Sequence, residues 1–182
     1  MKVFSLVGPS GCGKSTLIDC IKKNNICTMS EDYLVSDILG FKNTELLSKW
    51  NWISNWINKL FEYKSVTELL ITDRCPIEVV PYATNGSLFF EPIKESLLEL
   101  IEYNISIEYI YLHVPFETCL NRIKTRILNE PIRAKYNETD YVYTKNIYDF
   151  YERGIGSLWD HTIETDKIRI DEITEYIISL TR

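Results

Sequence analysis

The sequence predicts an α/β fold: a five-stranded parallel sheet between two layers of helices, a three-layer sandwich forming one domain over residues 1–182. Two observations carry this expectation. Five short strand candidates, residues 2–7, 26–30, 68–72, 108–113 and 167–170, alternate with helical patterns. Strands separated by helices of more than about ten residues belong to crossover units, which build parallel sheets. Two of the candidates, Leu69-Leu70-Ile71-Thr72 and Tyr109-Ile110-Tyr111-Leu112, are nearly continuous apolar runs. That is the pattern of strands covered on both faces.

Composition narrows the class. A chain of 182 residues with 45% hydrophobic and 25% charged content can bury a substantial core. A net charge of −6 argues against a nucleic-acid backbone or an anionic membrane as the main partner, while allowing a local basic cleft. No apolar run approaches membrane-spanning length, and Met1 leads directly into the first strand without a signal-peptide pattern. The expectation is a cytoplasmic protein with no membrane partner. Cys12, Cys20, Cys27, Cys75 and Cys119 are scattered and form no C-x-x-C pair, which argues against a disulfide framework or a zinc site.

The first strand, residues 2–7, is followed by Gly8-Pro9-Ser10-Gly11-Cys12-Gly13-Lys14-Ser15-Thr16, a full match to the phosphate-binding pattern G-x-x-x-x-G-K-[ST]. Gly8, Gly11 and Gly13 let consecutive amides turn toward one anion. Lys14 reaches the outer phosphates as a point charge, and the Ser15 hydroxyl suits Mg²⁺. An amphipathic helix over residues 15–22 aims its N-terminal dipole at the same place. This stretch predicts a site for ATP with Mg²⁺.

Ligands in such sheets sit at the carboxyl ends of the strands. After the second strand stand Glu31 and Asp32, either of which can accept or orient a hydroxyl proton; Glu31 is the preferred base. Residues 50–61 carry Trp52, Trp56 and Leu60 at steps of four, with Ile53 and Ile57 beside them. This face packs on the sheet or on a second subunit, so a homodimer is open; the competing role is a substrate base stacking on Trp50 or Trp52.

The third strand leads into Asp73-Arg74, where the carboxylate can face Mg²⁺ and the guanidinium a substrate phosphate or sugar hydroxyl. Gly86 and Pro92 bracket a break before a helix over residues 91–103. After the fourth strand, Pro115 opens a helix with Cys119, Leu120 and Ile123 inward and Arg122, Lys124 and Arg126 outward. Arg122 and Arg126 share one face and can stabilise a phosphoryl group in transfer. Pro131 interrupts this helix, and a third pattern over residues 141–153 ends at Gly154. Residues 122–145 thus form a candidate mobile lid. His113 reads as a core residue and His161 as one without a partner.

Four segments resemble the P-loop kinases that include deoxyribonucleoside kinases and thymidylate kinases. They are the phosphate loop; Asp73-Arg74-Cys75-Pro76 with Tyr82-Ala83; Val114 through Arg126; and residues 166–173. The resemblance implies a P-loop NTPase-type sheet, ATP with Mg²⁺, and transfer of the γ-phosphoryl group. It also implies Lys14 and Ser15 on phosphates and metal, and Asp73, Arg74 and Tyr82 on the acceptor side. Arg122 and Arg126 would lie near the transferring group. Thymidylate kinases carry Arg-Glu-Pro after the second strand, where this chain reads Thr28-Met29-Ser30-Glu31-Asp32-Tyr33. That departure favours a hydroxyl acceptor, the 5′-hydroxyl of a deoxynucleoside, over a deoxynucleoside monophosphate. A kinase of polynucleotide ends or modified DNA bases ranks below both, and a nucleotide switch without an acceptor ranks last. The absence of a Leu-Ser-Gly-Gly signature argues against a transporter ATPase.

Overall fold

The computed structural model describes residues 1–30, 46–131, 133, 137–154 and 158–181. Among these residues, five parallel strands form one sheet: β1 (Lys2–Val7), β2 (Thr28–Met29), β3 (Leu69–Asp73), β4 (Ser106–His113) and β5 (His161–Glu164), in the order β2-β3-β1-β4-β5. Among the described residues, seven α-helices flank it: α1 (Lys14–Lys22), α2 (Leu46–Lys64), α3 (Val79–Tyr82), α4 (Ser87–Glu99), α5 (Phe116–Asn129), α6 (Tyr141–Asp149) and α7 (Ile170–Leu180). The expected α/β class and parallel sheet are what the chain forms.

Strand periodicity divides the core. Val3 and Val7 of β1, Leu70 of β3 and Tyr111 of β4 pack with Trp52, Trp56 and Leu60 of α2 and Phe89 and Ile93 of α4. Phe4 and Leu6, Ile71, Ile110 and Leu112 point the other way, onto Leu17, Ile18 and Ile21 of α1 and Ile173 and Ile177 of α7. Successive side chains of a strand face opposite sides, so helices cover both. The Trp-rich segment is therefore a core helix: Trp52, Ile53, Trp56 and Leu60 are its buried stripe.

The structure departs from the sequence reading in several places. The second strand contracts to Thr28–Met29. The predicted strand at 167–170 is instead the approach to α7; the fifth strand lies earlier, at His161–Glu164. Only Ile163 of β5 is buried, so its polar flanks hide it from a search for apolar runs. Its ladder ends where Thr165 N–H donates to His113 O at 2.9 Å. Pro92 does not break α4, which begins at Ser87 and contains it. Proline frees the carbonyl four residues back, that of Leu88, a residue 70% exposed, where water can satisfy it. His161 does have a partner: Nε2 lies 3.1 Å from Glu108 Oε2.

Candidate functional site

The phosphate loop leaves β1 at the carboxyl edge of the sheet, between β3 and β4. Its glycines Gly8, Gly11 and Gly13 all take positive φ, at 147°, 85° and 108°. Two of them explain why. A Cβ on Gly8 would stand 2.8 Å from Cys12 Sγ and 3.0 Å from Leu112 O, so the loop closes onto β4 only without one. At Gly13, which caps α1, a Cβ would meet nothing within 4 Å. Gly13 lines the cavity described below, so a Cβ there would be added beside open space.

Lys14 is buried at the base of the loop, where its ammonium donates to Gly8 O and to Pro9 O (3.2 Å). Burial works to lower its pKa, but Cys12 and Glu78 outweigh that against Arg74, and the ammonium is held above its ordinary range. Ser15 Oγ donates to Asp73 Oδ2 at 3.3 Å, and Asp73 is only 4% exposed at the end of β3. A hydroxyl beside a buried carboxylate is a hard oxygen pair of the kind that shares Mg²⁺ with phosphates. Among the described residues, no cluster of His, Cys, Asp and Glu holds a metal without such help.

Arg74 takes a left-handed backbone with φ 74°, which is unfavourable for a residue with a side chain. The surrounding structure imposes it. Arg74 N–H donates to Leu6 O at 3.0 Å, and Arg74 O accepts from Thr72 Oγ1 at 2.8 Å and Trp56 Nε1 at 3.3 Å. Its guanidinium donates to Tyr82 Oη at 3.5 Å, lies over the Tyr82 ring, and stands 3.6 Å from Glu78 Oε1.

From the opposite wall, Arg122 Nη1 donates to Gly11 O at 3.1 Å. Arg126 pairs with Glu130 at 3.3 Å, four residues on along the helix and its turn. Arg133 forks onto Glu138, with Nη2 at 2.9 Å and Nε at 3.2 Å, and the same carboxylate accepts from Ser10 Oγ at 2.8 Å. Residues 10–16 of the loop, Asp73, Arg74, Arg122, Arg126, Arg133 and Thr165 line one cavity of about 540 Å³.

The structure thus brings Gly11, Cys12, Gly13, Lys14, Ser15, Thr16, Asp73, Arg74, Arg122 and Arg126 to one space, with Tyr82 against Arg74. Glu31 and Asp32 lie outside the described residues. Trp52 is 7% exposed and belongs to the core beneath α2. Sequence reasoning passed over Glu78, which touches both the loop and Arg74. The signal for it was a lone acid in the apolar run Pro76-Ile77-Glu78-Val79-Val80.

No protein-family model matches the chain, and no curated protein sequence does. Solved structures share its fold. A deoxyadenosine kinase from M. mycoides with bound dATP is 20% identical, with a TM-score of 0.61 over 100% of this chain and 99% of the other. Shikimate kinase from Acinetobacter baumannii, in complex with shikimate, is 18% identical, with a TM-score of 0.58 over 99% and 92%. The YorR protein from Bacillus subtilis, in complex with phosphorylated GDP, is 18% identical, with a TM-score of 0.58 over 98% and 95%. The architecture is therefore that of P-loop kinases, matched over essentially the whole chain. Among the described residues, no helix is long and apolar enough to cross a membrane.

Proposed function

We propose that this chain is an ATP-dependent phosphotransferase that moves the γ-phosphoryl group of ATP to the 5′-hydroxyl of a deoxynucleoside. The observation that carries the reading is the convergence on one cavity of a full phosphate loop, the Ser15–Asp73 pair, and arginines from both walls. The likeness to a deoxyadenosine kinase supports a nucleoside as acceptor; the likeness to a shikimate kinase supports the broader class of small hydroxyl acceptors.

Each residue has a chemical task in this reading. The loop amides and Lys14 would hold the triphosphate chain, and Ser15 and Asp73 would hold Mg²⁺, whose charge would offset that of the phosphate oxygens. Arg74 orients the acceptor. Arg122 and Arg126 stabilise charge as the acceptor oxygen bonds to the γ-phosphorus and the bond to the β,γ-bridging oxygen breaks. The acceptor proton passes to a carboxylate, assigned to Glu31 on its sequence position after β2, with Asp32 as the neighbouring candidate.

One observation favours a second reading, a deoxynucleoside monophosphate as acceptor. Arg74, Arg122 and Arg133 line the same cavity, and burial first, with Arg74 second, pushes the Lys49 ammonium of α2 down to about 8. Cations gathered on one cavity wall in this way suit an acceptor that carries a phosphate.

The test is an ATP-consumption assay against nucleosides, their monophosphates and a 5′-hydroxyl oligonucleotide, with product mass determined. One phosphate gained by a free deoxynucleoside supports the first reading. A gain only on monophosphates supports the second. Hydrolysis with no phosphorylated acceptor refutes both.

A further inference from the structure

Glu78 is a buried acid that the tasks above leave unused. It ends the 3-10 turn Pro76–Glu78 between β3 and α3 and is only 1% exposed. Its carboxylate faces donors from three parts of the fold. Gly8 N–H, the first amide of the phosphate loop, reaches Oε1 at 3.2 Å. Cys75 N–H reaches Oε2 at 3.2 Å. The Tyr151 hydroxyl donates to Oε1, which also lies 3.6 Å from Arg74 Nη1.

Burying a carboxylate is strongly unfavourable unless its oxygens are used, and apolar residues of similar volume often serve the fold equally well. Here the oxygens are used by groups of the candidate transfer site. Because the backbone of Arg74 is pinned by Leu6, Thr72 and Trp56, only its side-chain torsions are left to be set. Glu78 and Tyr82 flank its guanidinium. Tyr151 is itself fixed: its ring stacks on Tyr111 with centroids 5.9 Å apart and on Trp159 at 6.0 Å, and Trp159 Nε1 donates to its carbonyl at 3.1 Å. It belongs to the π-helical segment Phe150–Gly154 that continues α6 out of the proposed lid. Such a widened turn places a side chain where a regular helix would not.

We infer that Glu78 is a positioning residue for phosphoryl transfer: its carboxylate sets the Arg74 fork, and Tyr151, from the helix that returns from the lid, holds that carboxylate in place. This rests on the phosphotransferase reading. Glu78 does not touch the reacting atoms; it acts through Arg74.

Glu78→Gln keeps the size, removes the charge that balances Arg74 and turns a donor amide toward one of the backbone N–H groups. The expected result is a fall in kcat of about 10- to 100-fold, the usual effect of removing a partner that orients a working side chain. ATP affinity, measured by calorimetry with Mg²⁺, should stay within about threefold, since Glu78 does not reach the phosphates. The Glu78→Gln/Arg74→Ala double variant should be no slower than Arg74→Ala alone, because the first residue works through the second. Additive losses, or a loss confined to ATP affinity, would overturn the inference and leave Glu78 a structural support of the loop.

A second readout needs no acceptor. In protein labelled with ¹⁵N-arginine, a side-chain signal with restricted rotation, assigned by its absence in Arg74→Ala, should be present in the wild type and lost in Glu78→Gln; persistence overturns the inference. Should Glu78→Gln fail to fold, Tyr151→Phe carries the test, with a several-fold lower kcat expected and an unchanged kcat refuting the link to the lid. If the wild type phosphorylates nothing, the phosphotransferase reading fails, while the arginine signal still reports on Glu78.

Discussion

Gly13→Ala separates backbone strain from ligand exclusion within a single methyl group. Gly13 has φ 108° and ψ 8°, a conformation costly for an L side chain, by about 1–2 kcal/mol. No steric clash adds to this, because the new Cβ would have nothing within 4 Å. For a domain of this size, about 1 kcal/mol corresponds to roughly 2–4 °C in Tm, so the apo variant should melt about 2–8 °C lower. Gly13 lines the cavity where phosphates are proposed to bind, so the same methyl group would be added to its wall. ATP at about 100 times its Kd stabilises a native state by about 2.7 kcal/mol, or roughly 5–11 °C here. Wild type should show that shift with ATP and Mg²⁺, and Gly13→Ala should lose most of it. Thermal unfolding with and without nucleotide measures both quantities on the same samples. A variant that keeps the full nucleotide shift would refute the placement of phosphate at this loop.

Further substitutions probe the remaining roles. Lys14→Ala should abolish turnover while the protein still unfolds cooperatively by circular dichroism; normal turnover would remove the phosphate-loop assignment. Glu31→Gln should lower kcat by about 10²-fold or more with little change in acceptor KM if Glu31 is the base, and the same result from Asp32→Asn would move the role by one residue. Arg122→Ala, which removes a cation bonded to Gly11 O, should slow transfer more than Arg126→Ala, whose guanidinium is paired with Glu130; unchanged single-turnover rates in both would make them surface charges. The acidic limb of the kcat–pH profile provides a further check. Burial raises the Glu78 pKa above the ordinary carboxylate range, with Arg74, Lys14 and the Tyr151 and Gly8 hydrogen bonds opposing. Since the protonated acid cannot balance Arg74, activity should fall as pH drops through that raised value, and Glu78→Gln should remove this limb. The stability term has the opposite sense: a carboxyl whose folded pKa is raised favours folding when protonated and loses that contribution as pH rises through the folded value.

Much of the fold could be read without coordinates because its signals are local. The phosphate loop is an eight-residue pattern whose glycines at 8, 11 and 13 all take positive φ, a requirement of the local backbone. Leu69–Asp73 and Ser106–His113 are apolar enough to be strands wherever they are placed, and the buried stripe Cys119, Leu120 and Ile123 follows from helical spacing alone. Where the signal was not local, the sequence was silent or misleading. β5 has one buried residue and exists because β4 offers it an edge. Arg74 was legible as a candidate, but its left-handed backbone depends on Trp56, Thr72 and Leu6, which reach it from other elements or from within its own turn. Glu78 lies 70 residues from Gly8 and 73 from Tyr151 along the chain, and Glu138 lies 128 from Ser10. Sequence determined where phosphate is proposed to bind, because that requirement is written in consecutive backbone angles. Which acid stands behind the arginine was decided only by tertiary packing, because a buried carboxylate is defined by its donors and these are distant in sequence.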